Sequence, residues 1–277
     1  MFGSRFKKLR IAQNISLQQA AHNVINPSSL SRWKNNQNEL RFDVVIELLN
    51  NIHISPLEFL SITVITPHTP VIEEVNSAQD SPLELKRLAS KYLTIYEDSK
   101  NKHDLFSAAI VCNFYYEVSN KNIFPKKYKE ILQETLSNTL YWSHYYVSIF
   151  GNTMHLLDTK FIYGFAMMIM NSIQDYKSAG FENFLDTLDT LLNAYLNLIE
   201  RDLIKATALS TKFNSLHLSE YALQTRIYLK FFNALLNYRH SKDSATVISI
   251  IKALHTLDQD DLVTKFQEIF DEIRRIS

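Results

Sequence analysis

The sequence predicts an all-α protein in which five short helices are followed by an α-solenoid of helical hairpins. From Leu83 onward, apolar residues recur at helical spacing almost everywhere, and only Pro125 interrupts the pattern. The joints between these helices are short, so consecutive helices must fold back on one another. With 277 residues, the chain is long enough for one large or two ordinary domains.

The composition excludes several classes of protein. The four glycines form neither a GxGxxG nor a GxxxxGK pattern, so Rossmann and P-loop nucleotide sites are not expected. The single cysteine, Cys112, cannot form an intrachain disulfide or a multi-cysteine zinc site, and the chain has no HExxH. We therefore expect no cofactor and no metal. Cys112 lies in an apolar segment and is expected to be a buried small hydrophobe, with a redox role as the alternative.

The amino-terminal segment and the longest apolar run indicate the cellular location of the protein. The segment MFGSRFKKLR has basic residues but no apolar stretch behind them, unlike a signal peptide. The longest nearly apolar run, residues 161–170, has about half the length of a membrane-spanning helix. We expect a cytoplasmic protein with no membrane partner.

The formal net charge of zero hides an uneven distribution. Residues 1–66 carry a net charge of +3 and the remainder carries −3. Residues 1–38 contain six basic side chains and no acidic one, which suits a surface that faces a polyanion. The alternative is a chance cluster of solvated lysines and arginines.

Capping residues divide the first 61 residues into five short helices. Ser16 with Gln19 three residues later has the spacing of a capping box, and Asn26 precedes Pro27 at a third helix start. The expected helices are 2–14, a second beginning at Ser16, then 27–35, 41–52 and 55–61. The small pair Ala20 and Ala21 would let another helix cross the second one closely.

The third helix is the candidate DNA-binding helix. Leu30 and Trp33 are three residues apart and must point inward, which leaves a short, polar and cationic outer face. Small hydroxyls allow close approach to DNA, and Arg32 can reach a guanine edge or a phosphate. The candidate DNA-binding residues are Arg5, Lys7, Lys8, Arg10, Ser28, Ser29, Ser31, Arg32 and Lys34. The alternatives are an ordinary short helix and, for the four residues of the first helix, simple solvation.

These residues resemble a known family. Residues 15–60, ISLQQAAHNVINPSSLSRWKNNQNELRFDVVIELLNNIHISPLEFL, are similar to the helix-turn-helix domain of Rgg/GadR/MutR transcription regulators, which are relatives of the lambda-repressor-like (XRE-type) domains. SSLSRW matches the recognition-helix pattern S-x-L-S-R-[FW], and ISPLEFL matches the closing helix. The segments SIFGNTMHLLDT and LNLIERDLIKATAL resemble the C-terminal repeat domain of the same regulators.

The chain departs from the family pattern at the end of the third helix. Lys34 and Asn36 stand where the family commonly has Glu and Gly. Asn tolerates the left-handed conformation that a helix end requires, so we expect the turn to be kept. Lys34 makes the helix more cationic, which raises the expected non-specific affinity for DNA and bears on the sequence preference.

The pattern gives three segments: a helix-turn-helix DNA-binding domain over 1–62, a linker over 63–82 and a TPR-like helical repeat domain over 83–277. The linker contains Pro67, Pro70 and Pro82, with a brief strand possible over 63–65. The helices expected in the repeat domain are 83–98, 102–119, 125–149, 155–176, 180–200, 202–214, 218–239, 242–256 and 259–276.

The resemblance implies that the repeat domain is a receptor for a short signalling peptide of the quorum-sensing type, bound in its concave face, and that its C-terminal part dimerises. Asparagine amides suit such a groove because they both donate and accept hydrogen bonds. The candidate peptide-binding residues are Asn152, Asn193, Asn197, Arg226, Lys230, Asn233 and Asn237. A polar stripe can equally face outward, and Asn152 can equally serve as a helix cap.

Bulky apolar side chains offer a second group of groove candidates, although side chains of this kind more often lie in the core. They are Tyr141, Trp142, Tyr145, Tyr146, Tyr163, Phe165, Met167, Met168 and Met170. Carboxylate pairs such as Asp186 with Asp189 and Asp260 with Asp261 lack a partner set for catalysis, so we expect no enzymatic activity.

The sequence therefore predicts a homodimeric, peptide-responsive regulator that binds a near-palindromic operator in double-stranded DNA, with half-sites about 34 Å apart or a multiple of that. Peptide binding would shift the dimer between geometries, and so change DNA affinity or recruitment of RNA polymerase. Two alternatives remain open. One is a helical-repeat scaffold with no DNA role, and the other is a helix-turn-helix regulator that senses no peptide.

Overall fold

A computed structural model describes residues 2–61 and 70–276, and every regular element in those ranges is helical. The chain divides into two compact units, Met1–Pro70 and Val71–Ser277. The all-α prediction is confirmed. No helix in the described part of the chain is long and apolar enough to cross a membrane.

The described part of the first unit contains five short helices around its own core. They are α1 (Phe2–Ala12), α2 (Leu17–Ala21), α3 (Pro27–Lys34), α4 (Phe42–Asn51) and α5 (Pro56–Ser61). The expected capping box is present, since Ser16 and Gln19 bond to each other's backbone N–H groups. Phe6, Leu30, Leu48 and Phe59 are buried at the centre, where apolar contact stabilises the unit.

Four of these helices are followed by a residue in the left-handed conformation that is not glycine. The residues are Asn14 after α1, Asn23 after α2, Asn36 after α3 and His53 after α4, with φ between 55° and 58°. After α3, the N–H of Gln37 donates to the carbonyl of Arg32 at 2.9 Å, as in a Schellman turn. The prediction that Asn36 preserves the turn in place of the family's glycine is confirmed.

The expected linker over 63–82 differs from the structure. Its first part, with the possible strand at 63–65, falls at residues 62–69, outside the described residues. Residues 70–78 form a helix, α6 (Pro70–Ala78), whose Val71, Val75 and Ala78 are buried in the core of the second unit. These three residues have the i, i+4, i+7 spacing of an apolar helical stripe, and Pro70 stands at the helix start, where a missing N–H costs least.

The second unit continues with eleven further α-helices in its described part. They are α7 (Pro82–Ser99), α8 (Lys102–Ser119), α9 (Lys126–Ser137), α10 (His144–Gly151), α11 (Thr159–Asn171), α12 (Ile173–Ser178), α13 (Phe181–Arg201), α14 (Leu203–Asn214), α15 (Leu223–Ser241), α16 (Ala245–Thr256) and α17 (Asp260–Arg275). Single 3-10 turns lie at Met154–Leu156 and Glu220–Ala222. Consecutive helices pack as hairpins, for example α7 with α8 and α16 with α17, which agrees with the predicted solenoid.

Two expected helices are each divided in two. The predicted helix 125–149 breaks at residues 138–143, between α9 and α10, and the predicted helix 155–176 is divided at Ser172. Asn138 ends α9, and Ser143 has the extended backbone of a helix N-cap. Leu140 between them is fully exposed, so the apolar period there does not reflect burial.

The long helix α13 lies at the centre of the second unit. It packs against α10, α11, α12, α14 and α15, and it buries Leu188, Leu191, Tyr195 and Leu198. Because α13 contacts elements before and after it in the chain, polar side chains on its remaining surface meet side chains from distant parts of the sequence.

Candidate DNA-binding and peptide-binding sites

Helix α3 presents a polar face and buries its apolar one. Leu30 is 0% exposed and Trp33 is 6% exposed, and the Trp33 ring lies 5.4 Å from that of Phe6. Ser28 and Arg32 are both exposed and lie four residues apart, on one face of the helix. Their neighbours Ser29, Ser31 and Lys34 are half-buried. The predicted inner and outer faces of α3 are confirmed, whereas a role in contacting DNA stays a prediction.

Two residues outside the candidate set hold α2 and α3 in place. A Cβ atom on Gly3 would lie 2.0 Å from the carbonyl oxygen of Trp33, so α1 can approach α3 this closely only with glycine. The side-chain amide of Asn51 on α4 donates to the carbonyls of Ala20 and His22, at 3.0 and 2.9 Å, at the end of α2. The sequence analysis missed both residues, because their partners are remote in the chain.

The four basic residues of α1 occupy different environments. Lys7 and Lys8 are exposed. The Arg10 guanidinium donates to the carbonyl of Ile15 and so fastens the turn after α1. Arg5 is half-buried, and its Nε atom is buried without a hydrogen-bond partner. Lys7 and Lys8 are therefore better placed than Arg5 and Arg10 to reach a phosphate.

Most of the candidate peptide-binding residues fall into two cavities of the second unit. The α13 cavity, about 210 Å³, is lined by Glu117, Gly151, Met154, His155, Asn193, Leu196, Asn197 and Glu200. The α15 cavity, about 420 Å³, is lined by Phe213, Asn214, Leu216, His217, Leu218, Arg226, Leu229, Lys230 and Asn233. Asn237 is exposed and lines neither of them.

Asn152 takes the helix-cap role that the sequence left open. It is the C-cap residue of α10, and its side-chain amide donates to the carbonyl of Ser148 at 2.8 Å. Its neighbour Gly151 lines the α13 cavity. The FGNT segment therefore contributes backbone at Gly151 to the cavity, while the Asn152 side chain is engaged within its own helix.

The α13 cavity contains a network of polar side chains from three elements. The Glu117 carboxylate on α8 lies 3.3 Å from Nε2 of His155 and accepts from the Asn113 amide at 2.7 Å. Asn113 in turn accepts from the backbone N–H of His155 at 2.9 Å. Burial raises the pKa of Glu200 to about 7. The sequence analysis missed Glu117, His155 and Glu200, because no local pattern relates residues on separate elements.

The α15 cavity is cationic. Arg226 and Lys230 are exposed at its edge, and no carboxylate is among its lining residues. The side chain of Asn233 is engaged inside the protein: its Oδ1 accepts from the hydroxyls of Tyr195 and Ser210, each at 2.8 Å, and its amide donates to Asn214 at 3.1 Å. Asn233 therefore joins α13, α14 and α15, a structural role that the prediction did not foresee.

The other apolar and titratable candidates divide between core and surface. Trp142, Phe165 and Met170 are buried, as the core interpretation predicted, whereas Tyr141 is 77% exposed. Cys112 is fully buried, and burial raises the pKa of its thiol to about 12, which disfavours the reactive thiolate. Among the described residues, no group of three His, Cys, Asp or Glu side chains is placed to hold a metal ion.

Comparison with known proteins decides the family. The model described as HTH-type transcriptional regulator Rgg, C-terminal domain, matches residues 89–268, and a helix-turn-helix model matches residues 6–59. The chain belongs to the Rgg family of HTH-type transcriptional regulators. The resemblance carried by SSLSRW and by the repeat-domain segments is thereby confirmed, and the Rgg family is a family of regulators, not of enzymes.

Solved structures share this Rgg-type fold over nearly the whole chain. The SHP pheromone receptor Rgg2 of Streptococcus dysgalactiae has a TM-score of 0.78 at 15% identity, over 98% of this chain and 99% of that one. A putative transcriptional regulator from Listeria monocytogenes EGD-e has a TM-score of 0.77 at 13% identity, over 98% of this chain and 96% of that one. PrgX in complex with cCF10 has a TM-score of 0.71 at 10% identity, over 100% of this chain and 93% of that one.

Proposed function

We propose that this Rgg-family protein is a cytoplasmic homodimer that binds a near-palindromic operator through α3 and is controlled by a short signalling peptide bound in its second unit. The observation that carries the proposal is the exposed face of α3. Ser28 and Arg32 stand on it while Leu30 and Trp33 fix the opposite face in the core.

The charge of the first unit supports a DNA-binding role. Arg32, Lys7 and Lys8 are exposed, and no acidic residue occurs in residues 1–38. Cationic side chains in a segment without carboxylates attract phosphates at long range, and an arginine on a recognition helix can form paired hydrogen bonds to guanine. Lys7 and Lys8 would contact the backbone, whereas Arg32 would contribute to sequence preference.

Two observations support peptide control. The structures of similar fold include a pheromone receptor and PrgX in complex with cCF10. The second unit of this chain contains cavities lined by amide and charged side chains, including Asn193 and Asn197 on α13 and Arg226 and Lys230 on α15. Such side chains bind a peptide backbone and its charged groups. A peptide that prefers one dimer geometry would shift the population toward it, and with it DNA affinity or recruitment of RNA polymerase.

The DNA-binding role is tested by fluorescence anisotropy on DNA from upstream of the gene and its neighbours, at several salt concentrations. We expect a specific complex whose affinity falls steeply with salt, because neutralising phosphates releases counterions. The substitution Arg32→Ala should weaken the specific complex by about 10- to 100-fold, since one arginine–guanine pair contributes roughly 1–3 kcal/mol.

Arg41→Ala is the matched control, because it removes the same charge from a residue whose guanidinium is already paired with Asp43 at 2.7 Å. It should bind the operator nearly as wild type does. Equal losses in both variants would show that only net charge matters, and no specific complex with or without peptide would favour the scaffold alternative.

The peptide-sensing role is tested by incubating the full chain with a random heptapeptide library and identifying the retained peptides by mass spectrometry. Retention of a related set of sequences, and a change in operator affinity when one of them is added, are expected. Specific operator binding without any retained peptide would instead indicate a regulator that senses no peptide.

A further inference from the structure

The α13 cavity has an unusual charge for a site that binds peptide. Two carboxylates, Glu117 and Glu200, line it together with the amides of Asn193 and Asn197. No lysine or arginine is among its lining residues. At about 210 Å³, the cavity lies below the roughly 300–1,000 Å³ of pockets that enclose a drug-sized ligand. It can therefore take one end of a peptide.

Asn197 offers the cavity a hydrogen-bond donor. Its side chain lines the cavity although the residue is only 4% exposed. Its Oδ1 accepts from the Arg201 guanidinium at 2.9 Å, and Arg201 is itself held by the carbonyl of Leu157 at 2.9 Å. This arrangement fixes the orientation of the amide, and its nitrogen has no hydrogen-bond partner among the described residues. An N–H at a cavity wall that has no acceptor in the protein can donate to a ligand that brings one, such as a carbonyl oxygen.

Glu200 offers the cavity an acceptor. Its carboxyl group is half-buried and has neither a hydrogen bond nor an ion pair among the described residues. The second carboxylate, Glu117, is shared with His155 and Asn113. A cation that enters the cavity would therefore stabilise the Glu200 carboxylate more than the Glu117 carboxylate. A partly desolvated carboxylate is stabilised by an adjacent positive charge.

We propose that the α13 cavity binds the free amino terminus of the signalling peptide, with its α-ammonium group at Glu200 and its first carbonyl oxygen at the Asn197 amide. In a peptide, only the amino terminus places an ammonium group and a carbonyl acceptor on the same α-carbon. The side chains of lysine and arginine carry the cation alone, so they would leave the Asn197 donor unpaired. This inference rests on the proposed peptide-sensing function and specifies the end of the peptide that is recognised.

The experiment compares two forms of the same ligands on the full-length protein. An equimolar heptapeptide library with free amino termini is mixed with an isotopically labelled copy whose amino termini are acetylated, and the retained peptides are quantified by mass spectrometry. We expect retained sequences to be enriched at least 10-fold in the free-amine form over their acetylated counterparts. Glu200→Gln should bring this ratio close to one, because the amide keeps the shape of the side chain but not its charge.

Glu268→Gln, on the exposed face of α17, removes the same charge elsewhere in the unit and should retain the enrichment. Circular dichroism of each variant shows whether it is folded. Equal retention of free and acetylated forms would overturn the inference while leaving peptide sensing intact. Retention that follows lysine or arginine content instead of the terminus would also overturn it. Retention of neither library would overturn the inference and the proposed peptide-sensing role together.

Discussion

At the residue scale, asparagine and histidine occupy left-handed positions that glycine usually takes, whereas Gly3 is required for close packing. Asn14, Asn36 and His53 adopt left-handed backbone conformations at helix ends. Gly3, by contrast, has ordinary helical geometry and is required by the closeness of α3. Its function is steric, since any side chain at that position would meet the backbone of Trp33 and Lys34.

Gly3→Ala is therefore expected to destabilise the first unit. The added methyl group would lie 2.0 Å from a backbone oxygen, so α1 must move away from α3, at a cost of about 1–3 kcal/mol. Urea unfolding measures this change. Gly164→Ala is the matched control, because a Cβ at this position in α11 meets nothing within 4 Å. The control should leave stability unchanged or raise it by up to about 1 kcal/mol, and a similar loss in both variants would contradict the steric explanation.

Glu200 should make the stability of the second unit depend on pH. Burial raises its pKa from 4.5 to about 7 in the folded chain; the Glu272 charge also raises this pKa, whereas His155, Arg201 and Arg239 lower it. The charged and titratable groups around it are Glu117, His155, Arg201, Arg239 and Glu272. Because the folded state holds the proton more tightly than the unfolded state, the contribution of Glu200 is fully favourable below about pH 4.5 and is lost as the pH rises through about 7.

The substitution Glu200→Gln removes this titration. We expect the variant to equal the wild type in free energy of unfolding near pH 4 and to exceed it by about 1–3 kcal/mol at pH 8. Denaturant unfolding across this pH range measures the difference. Glu268→Gln serves again as the control and should follow the wild-type profile. A Glu200→Gln profile parallel to that of the wild type would contradict the explanation.

At the element scale, the position of α3 depends on how the neighbouring helices hold the turn before it. Asn51→Ala removes the two hydrogen bonds that α4 donates to the carbonyls of Ala20 and His22. We expect a loss of about 1–3 kcal/mol in the free energy of unfolding, because two acceptors at the end of α2 lose their partner. Weaker operator binding should accompany it.

Asn50→Ala is the neighbouring control, since that side chain is exposed. It should change the free energy of unfolding by no more than about 0.5 kcal/mol. Thermal or urea unfolding of the two variants, side by side, measures the contribution of the α4–α2 connection. If both alanine variants unfolded like the wild type, the two hydrogen bonds would contribute nothing measurable.

Elements were predicted well where local chemistry decides them. The side chains of Ser16 and Ser55 cap the starts of α2 and α5, and α3 begins at Pro27 after Asn26, as predicted, although the Asn26 side chain makes no capping hydrogen bond. The prediction was poorer where apolar period alone was used. The helix expected over 125–149 is two helices, because the period continues through exposed Leu140 and Tyr141. The periodicity of a sequence does not show which apolar residues are buried.

At the scale of the whole molecule, the two units have separate cores. The buried cluster of the first unit and that of the second share no residue. Each unit also contains one of the two tryptophans, Trp33 in the first and Trp142 in the second. The fluorescence of these residues can therefore report on the two cores separately.

Leu48→Ala should destabilise the first unit alone. Leu48 is fully buried in the smaller core, and its truncation is expected to cost about 2–5 kcal/mol. In a Trp142→Phe background the urea midpoint, reported by Trp33, should fall. In a Trp33→Phe background the midpoint reported by Trp142 should not change. Equal shifts of both signals would show that the two cores unfold as one cooperative unit.

The sequence by itself determined the helical class, the ends of the short helices and the family, because these depend on residues that are close together in the chain. It also determined the two faces of α3, since Leu30 and Trp33 lie within one turn. Only the tertiary structure decided which polar residues share a cavity. Asn152 and Asn233 are engaged in contacts within the protein, whereas Glu117, His155 and Glu200 meet Asn197 across α8, the 3-10 turn at Met154–Leu156 and α13. These residues become neighbours only because helices from distant segments pack together. Such packing leaves no local pattern in the sequence.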